Sequence, residues 1–134
     1  MSLVVVPVRY PLSRHSRATL AEAIRIADDR DADLTVMHVD LYQEGGEVTR
    51  TELKRAVEAE FGSIDRARYV VRRGFLVEET ILDEVAAERA DVVVIGSKQM
   101  SRWRRTFSRF LDDPDIDRFL REKLDCDVVT VSAG

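Results

Sequence analysis

The residues best placed to do chemistry lie in one stretch. Asp91-Val92-Val93-Val94-Ile95-Gly96-Ser97 is followed at once by Lys98, Gln99, Met100, Ser101, Arg102, Trp103, Arg104 and Arg105. A short β-branched run that ends in Gly-Ser has the form of a buried parallel strand, and ligands bind at the C-terminal ends of such strands. Glycine lets the backbone approach a phosphate, while free N–H groups and nearby cations favour an anion. Gly96-Ser97 therefore has two readings. It cradles a phosphate, with Lys98 and Arg102 adding charge, or Gly96 simply lets the chain turn out of the strand. Arg9, just past the first apolar run, has two as well. A guanidinium donates but cannot accept, so Arg9 binds an anion or pairs with a local carboxylate.

Elsewhere the chemistry is thin. His15 and His38 fall on different elements, and neither has a metal-ligand partner at useful spacing. His38 sits in an apolar run and reads as a satisfied core or pocket-edge side chain. Cys126 lies between Asp125 and Asp127, whose charges raise a thiol pKa and oppose a nucleophilic role. As the sole cysteine it cannot form an internal disulfide. Ser13, Ser16, Ser97 and Ser101 lack an evident base, and no triad or carboxylate pair emerges. These patterns predict no enzyme and no metal.

Five apolar runs alternate with helical patterns to position these residues. Residues 3–8, 34–39, 67–71, 92–95 and 128–131 predict strands. The first and fourth are almost continuously β-branched, as in parallel strands covered on both faces. Ser13 caps a first helix with Leu20, Ile24 and Ala27 on one face. Thr49 with Glu52 forms a capping box ahead of Leu53, Val57 and Phe61. Val77, Ile81 and Val85 line a third helix. Asp113-Pro114 starts a last one, striped by Ile116, Leu120 and Leu124. Between strand four and that helix, Trp103, Phe107, Phe110 and Leu111 predict an amphipathic helix over residues 101–111, with Arg102, Arg105 and Arg109 opposite. The alternation predicts one α/β domain over residues 1–134, a three-layer, Rossmann-like sandwich around a mainly parallel sheet.

Composition sets the outer limits. With 134 residues, 45% hydrophobic and 34% charged, the chain is long and apolar enough for a real core. A net charge of −4 argues against general nucleic-acid binding. The cationic segment from Arg102 to Arg109 has cations and aromatics suited to nucleic acid. Its helical spacing, however, separates the two sets, which suits a helix packed on a core and a partner protein or the nearby aspartates. No apolar run is long enough for a membrane span, and no signal peptide is evident before the first strand, so a cytoplasmic location is expected. Val128, Val129, Thr130 and Val131 form a short β-branched run expected at a sheet edge. It invites pairing with a second copy, unless the tail shields it.

Taken together, the chain resembles the universal stress protein family over nearly its whole length. The resemblance rests on Val5-Val6-Pro7-Val8, on His15-Ser16-Arg17-Ala18 and the alanine-rich helix after it, and on Val36-Met37-His38-Val39. It continues through Gly74, Glu79, Ile81, Ala86-Ala87 and the run from Ala90 to Ser97, and ends on Cys126-Asp127-Val128. It implies strand order 3-2-1-4-5, a switch point between strands one and four, and a homodimer through strand five. It also implies a nucleotide or anion pocket at Pro7, Val8, Arg9, Val39, Gly96, Ser97, Lys98 and Arg102. In nucleotide-binding members an aspartate ends strand one, and Gly-x-x-Gly, nine residues, then Gly-Ser or Gly-Thr hold the ribose and phosphates. Here Arg9 follows Val8, Gln99 replaces the second glycine, and Arg109-Phe110 stands nine residues on. Taking Pro114-Asp115 instead leaves fourteen residues between. The expectation is a non-enzymatic stress-response domain that binds ATP weakly or not at all and needs no fixed cofactor. The alternative is an ATP- or AMP-binding signalling protein using Lys98 and Arg102 in place of the lost glycine amides.

Overall fold

Strict alternation along the central strands sorts side chains into two cores. The computed structural model describes residues 2–111 and 116–132, the side chains of residues 107–111 apart. Its sheet comprises β1 (Leu3–Pro7), β2 (Asp33–Leu41), β3 (Ala67–Gly74), β4 (Val92–Gly96) and β5 (Asp127–Val131). All neighbours are parallel, in the order β3-β2-β1-β4-β5. The expected class, strand number and order are those observed. Val4 and Val6 of β1, with Val92 and Val94 of β4, enter one core. Val5, Val93 and Ile95 enter the other. Two buried faces are what a parallel sheet needs, and they explain the unbroken β-branched runs.

The helices complete the outer layers. α1 (Arg14–Arg30) and α2 (Arg50–Phe61) cover the first core, while α3 (Val77–Glu88), α4 (Ser97–Leu111) and α5 (Ile116–Leu124) cover the second. Ser13 caps α1, its Oγ accepting from the Ser16 amide at 3.1 Å. Thr49 and Glu52 form the full capping box of α2. The α1 stripe is rotated slightly from expectation: Ala23 and Ile26 are buried with Leu20 and Ala27, and Ile24 is only half-buried. The anticipated Asp113-Pro114 cap and the side chains of Phe107, Arg109, Phe110 and Leu111 lie outside the described residues.

One boundary is corrected. The anticipated turn at Gly96-Ser97, with a helix from residue 101, is instead a direct passage from β4 into α4 at Ser97. Lys98, Gln99 and Met100 are good helix formers, and no glycine follows Gly96 to interrupt them. The early start also puts Met100 and Trp103 on one face, each 1% exposed in the second core. Burying side chains of this size contributes about 1.5–3 kcal/mol each.

The two sheet edges differ. β3 carries Arg68, Arg72 and Arg73; Arg68 pairs with Glu88, and Arg72 Nε donates to Glu84 Oε1 at 2.8 Å. Arg50 Nε reaches over to the Tyr69 carbonyl at 3.1 Å. β5 has only half-buried valines with Thr130 and Asp127 exposed.

Glu84 and Glu88 lie one turn apart on α3, beneath β2 and β3. Burial raises Glu88, and neighbouring Glu84 raises it further, against the Thr35 hydroxyl and Arg68. Burial also pushes Glu84 upward, but neighbouring Glu88, the hydrogen bond from Arg72 and the nearby positive charge outweigh it, so Glu84 is lowered. Glu84 thus adds stability that is present above the ordinary glutamate range and lost as pH falls through its depressed value. Glu88 adds stability that is present below that range and lost as pH rises through its elevated value. Urea unfolding across acid to neutral pH should show wild type losing stability relative to Glu88→Gln as pH rises; a constant difference would refute the elevated Glu88.

Candidate functional site

β1 lies between β2 and β4, and the chain leaves its C-terminal end towards α1 while β4 leads straight into α4. The gap between these departures is the switch point of the sheet. A cavity of about 510 Å³ opens there, within the range of small-ligand sites. All eight residues expected at the pocket line it: Pro7, Val8, Arg9, Val39, Gly96, Ser97, Lys98 and Arg102.

His38 of β2, read from the sequence as a core or pocket-edge side chain, is on the cavity wall. Sequence reading missed other walls, among them Ser13, Ser16 and Thr19 of the first helix region, Asp40 of β2, and the loop through Glu44, Gly46 and Val48. His38 and Asp40 stand two apart on a strand and so share a face, a spacing that was visible in advance. Their partners were not, because these come from distant segments. His38 Nδ1 lies 3.0 Å from the Val8 carbonyl oxygen, and its Nε2 lies 3.0 Å from Asp40 Oδ1. The other Asp40 oxygen accepts from the Val48 amide at 2.8 Å. This chain of contacts ties the end of β1 to β2 and to the loop after it. His38 is the satisfied pocket-edge residue its position suggested.

The first-helix side is equally self-contained. The Arg9 amide donates to Ser16 Oγ at 2.9 Å, and Ser13 Oγ and Ser16 Oγ are 3.2 Å apart. Thr19 Oγ1 donates to the His15 carbonyl at 2.8 Å. By contrast, among the described residues the side chains of Arg9, Lys98 and Arg102 have no hydrogen-bonding or ion-pair partner. Arg9 and Arg102 are exposed, as is Lys98. Lys98 and Arg102 are one helical turn apart and present a cationic stripe to the cavity. Gln99 also lines it, and its Nε2 is buried without a partner among the described residues.

Gly96 is not the turn that one of its two readings expected. Its φ is not in the left-handed region, so no turn requires glycine there. A Cβ at position 96 would stand 3.2 Å from Thr19 Oγ1. Glycine lets β4 approach α1 closely at the cavity wall. No glycine loop follows it, since the chain is already helical from Ser97.

Among the described residues, no cluster of three or more His, Cys, Asp or Glu can hold a metal. Cys126 is fully buried, and its thiol is pushed up to about 11, by burial first and then by Asp127 and Asp91. The direction matches the sequence reading; the main cause is burial, with Asp127 second. No helix among the described residues is long and apolar enough to cross a membrane.

Against known proteins, residues 2–132 match the model of the universal stress protein family. Solved structures agree on the fold. A universal stress protein in complex with cAMP superposes with TM-score 0.63 at 16% identity, covering 97% of each chain. The universal stress protein UspA from Lactobacillus plantarum gives 0.59 at 18% identity, again over 97% of each chain. A universal stress protein from Archaeoglobus fulgidus gives 0.55 at 18% identity over 72% of this chain and 33% of that one. No curated protein matches the chain at a significant level.

A buried, protonated thiol does not react as a nucleophile. Native protein should therefore leave Cys126 unlabelled by an aromatic disulfide reagent over hours, with full labelling after urea unfolding. Rapid labelling in the native state would contradict this placement.

Proposed function

The chain belongs to the universal stress protein family, and from that premise we propose that it acts in stress response by binding rather than by catalysis. In this reading it is a cytoplasmic homodimer whose switch-point cavity receives an anion and holds ATP weakly or not at all. The observation that carries the reading is the cavity wall itself: α4 starts at Ser97 where a glycine loop would be needed, and the side chains of Arg9, Lys98 and Arg102 line the space without a partner among the described residues. Backbone amides cannot wrap a triphosphate along a helix, because beyond the first turn they bond within it. Calorimetric titration with ATP and AMP at near-native salt tests the reading. Binding no tighter than the micromolar range is expected, and submicromolar ATP binding would overturn it.

A second reading has a specific observation in its favour. Lys98 and Arg102 line the same wall on successive turns, so charge-assisted bonds from them substitute for glycine amides. ATP or AMP is then the working ligand. Lys98→Ala and Arg102→Ala should each weaken ATP binding by about tenfold, or about 1.4 kcal/mol. Unchanged affinity in both variants removes this reading.

The proposed dimer forms through β5. Its outer edge carries Val128, Val129, Thr130 and Val131, and it holds no arginine or lysine to discourage pairing. Thr130 is exposed, so Thr130→Lys adds charge without disturbing the core. Sedimentation should show the wild type as a dimer and this variant shifted to monomer. A monomeric wild type would refute the assembly.

A further inference from the structure

We propose that the outer face of α4 docks an acidic segment of a partner protein, one whose carboxylates recur at helical spacing. The surface is separate from the cavity and does not depend on what the cavity binds. Among the described helices, α4 alone carries no Asp or Glu. It holds Lys98, Arg102, Arg104, Arg105 and Arg109, in a chain whose net charge is −4. Like charges one turn apart on a helix repel, so this arrangement costs stability that an anionic partner restores. Ser101, Arg104 and Arg105 are exposed, lie outside the cavity, and share a face by their spacing of three and four. Neither Arg104 nor Arg105 has a hydrogen-bonding or ion-pair partner among the described residues. Ser101 Oγ is turned back to the Ser97 carbonyl at 3.1 Å, which leaves a short side chain between long ones. Met100 and Trp103 pin the other face of α4 in the second core. The docking face is therefore ordered before a partner arrives, and binding forfeits little backbone freedom.

The neighbouring surface narrows the partner. Arginine presents a planar fork of donors that takes a carboxylate in two parallel bonds. Arg102 and Arg105 stand three apart, so glutamates three or four apart on a partner helix meet them in register. α3, packed beside α4, exposes Glu79 and Asp83. A nucleic-acid duplex wide enough to take a helix in its groove overhangs the neighbouring helices, and its phosphates would meet those carboxylates. A membrane surface needs apolar side chains to insert, and the exposed residues described on α4 are Lys98, Ser101, Arg102, Arg104 and Arg105. A protein segment no wider than one helix meets the cations without the carboxylates.

The test uses the full chain and a fluorescein-labelled, alanine-rich peptide with glutamates three and four residues apart, followed by fluorescence anisotropy at low salt. The peptide should bind, its glutamine counterpart should not, and added salt should weaken binding. Arg104→Gln combined with Arg105→Gln should weaken it by about tenfold. Arg25→Gln, which removes a paired arginine on α1, should leave it unchanged. No peptide binding, or binding indifferent to the double variant, would overturn the proposal. Tighter binding of a short DNA duplex or of phosphatidylserine vesicles through the same two arginines would overturn it too. Asp112, Asp113 and Asp115 follow α4 in sequence and lie outside the described residues. Peptide binding that appears only with Asp112→Asn, Asp113→Asn and Asp115→Asn would assign the face to the chain's own aspartates and sink the idea of an external partner. Each of these outcomes leaves the reading of the cavity where it stands.

Discussion

Everything in this molecule depends on β1 being hydrogen-bonded on both sides and buried on both faces. Val4, Val5 and Val6 are fully buried and feed the two cores alternately. The register of β2 and β4 against β1 then fixes where each side chain of those strands points, because a one-residue slip would exchange the faces. Asp91 reinforces this alignment, its carboxylate accepting from the Leu3 amide at 2.7 Å. The cavity is a by-product of the same constraint. A central strand whose neighbours lead away to opposite layers leaves an open notch at its end, and no side chain has to be sacrificed to make it.

Electrostatics give that notch its character. Elsewhere on the surface many arginines meet carboxylates: Arg25 with Glu22 and Asp29, Arg66 with Asp31 and Asp33, Arg68 with Glu88, Arg72 with Glu84. The exposed ones among these, those of Arg25 and Arg66, contribute little stability each, but all of them flatten the local field. Around the notch, among the described residues, three cations have no such partner. In a chain of net charge −4, these three cations outnumber the two carboxylates of the same cavity, Asp40 and Glu44, so the notch is cationic on balance, and concave walls focus such a field.

Much of this was legible in the residues, and the misses have physical reasons. Unbroken valine runs disclosed parallel strands, and Ser13 and the Thr49–Glu52 pair disclosed helix starts because their side chains act locally. The start of α4 at Ser97 was not legible, since no capping signal marks it and Gly96 reads naturally as a turn. It is decided by the burial of Met100 and Trp103, which only the folded second core reveals. The eight pocket residues were identified through a resemblance and a topological rule. The His38–Asp40–Val48 tie was not, because a contact spanning a strand end and a loop leaves no periodic trace. Cys126 shows the intermediate case: its neighbours gave the right direction, but burial beneath α5 outweighs them.

The unequal edges of the sheet bear on how many copies can assemble. β3 is studded with arginines that are themselves tied into ion pairs, and its Tyr69 carbonyl is occupied by Arg50. β5 itself carries no arginine or lysine; Arg30 and Arg121 approach it only at Asp127, its first residue, at 4.0 and 3.9 Å. A sheet that can grow at only one edge can grow only once: joining two copies through β5 brings two arginine-armed margins to the outside. In the proposed dimer the growth is therefore self-terminating, and it ends in a closed pair rather than an open filament.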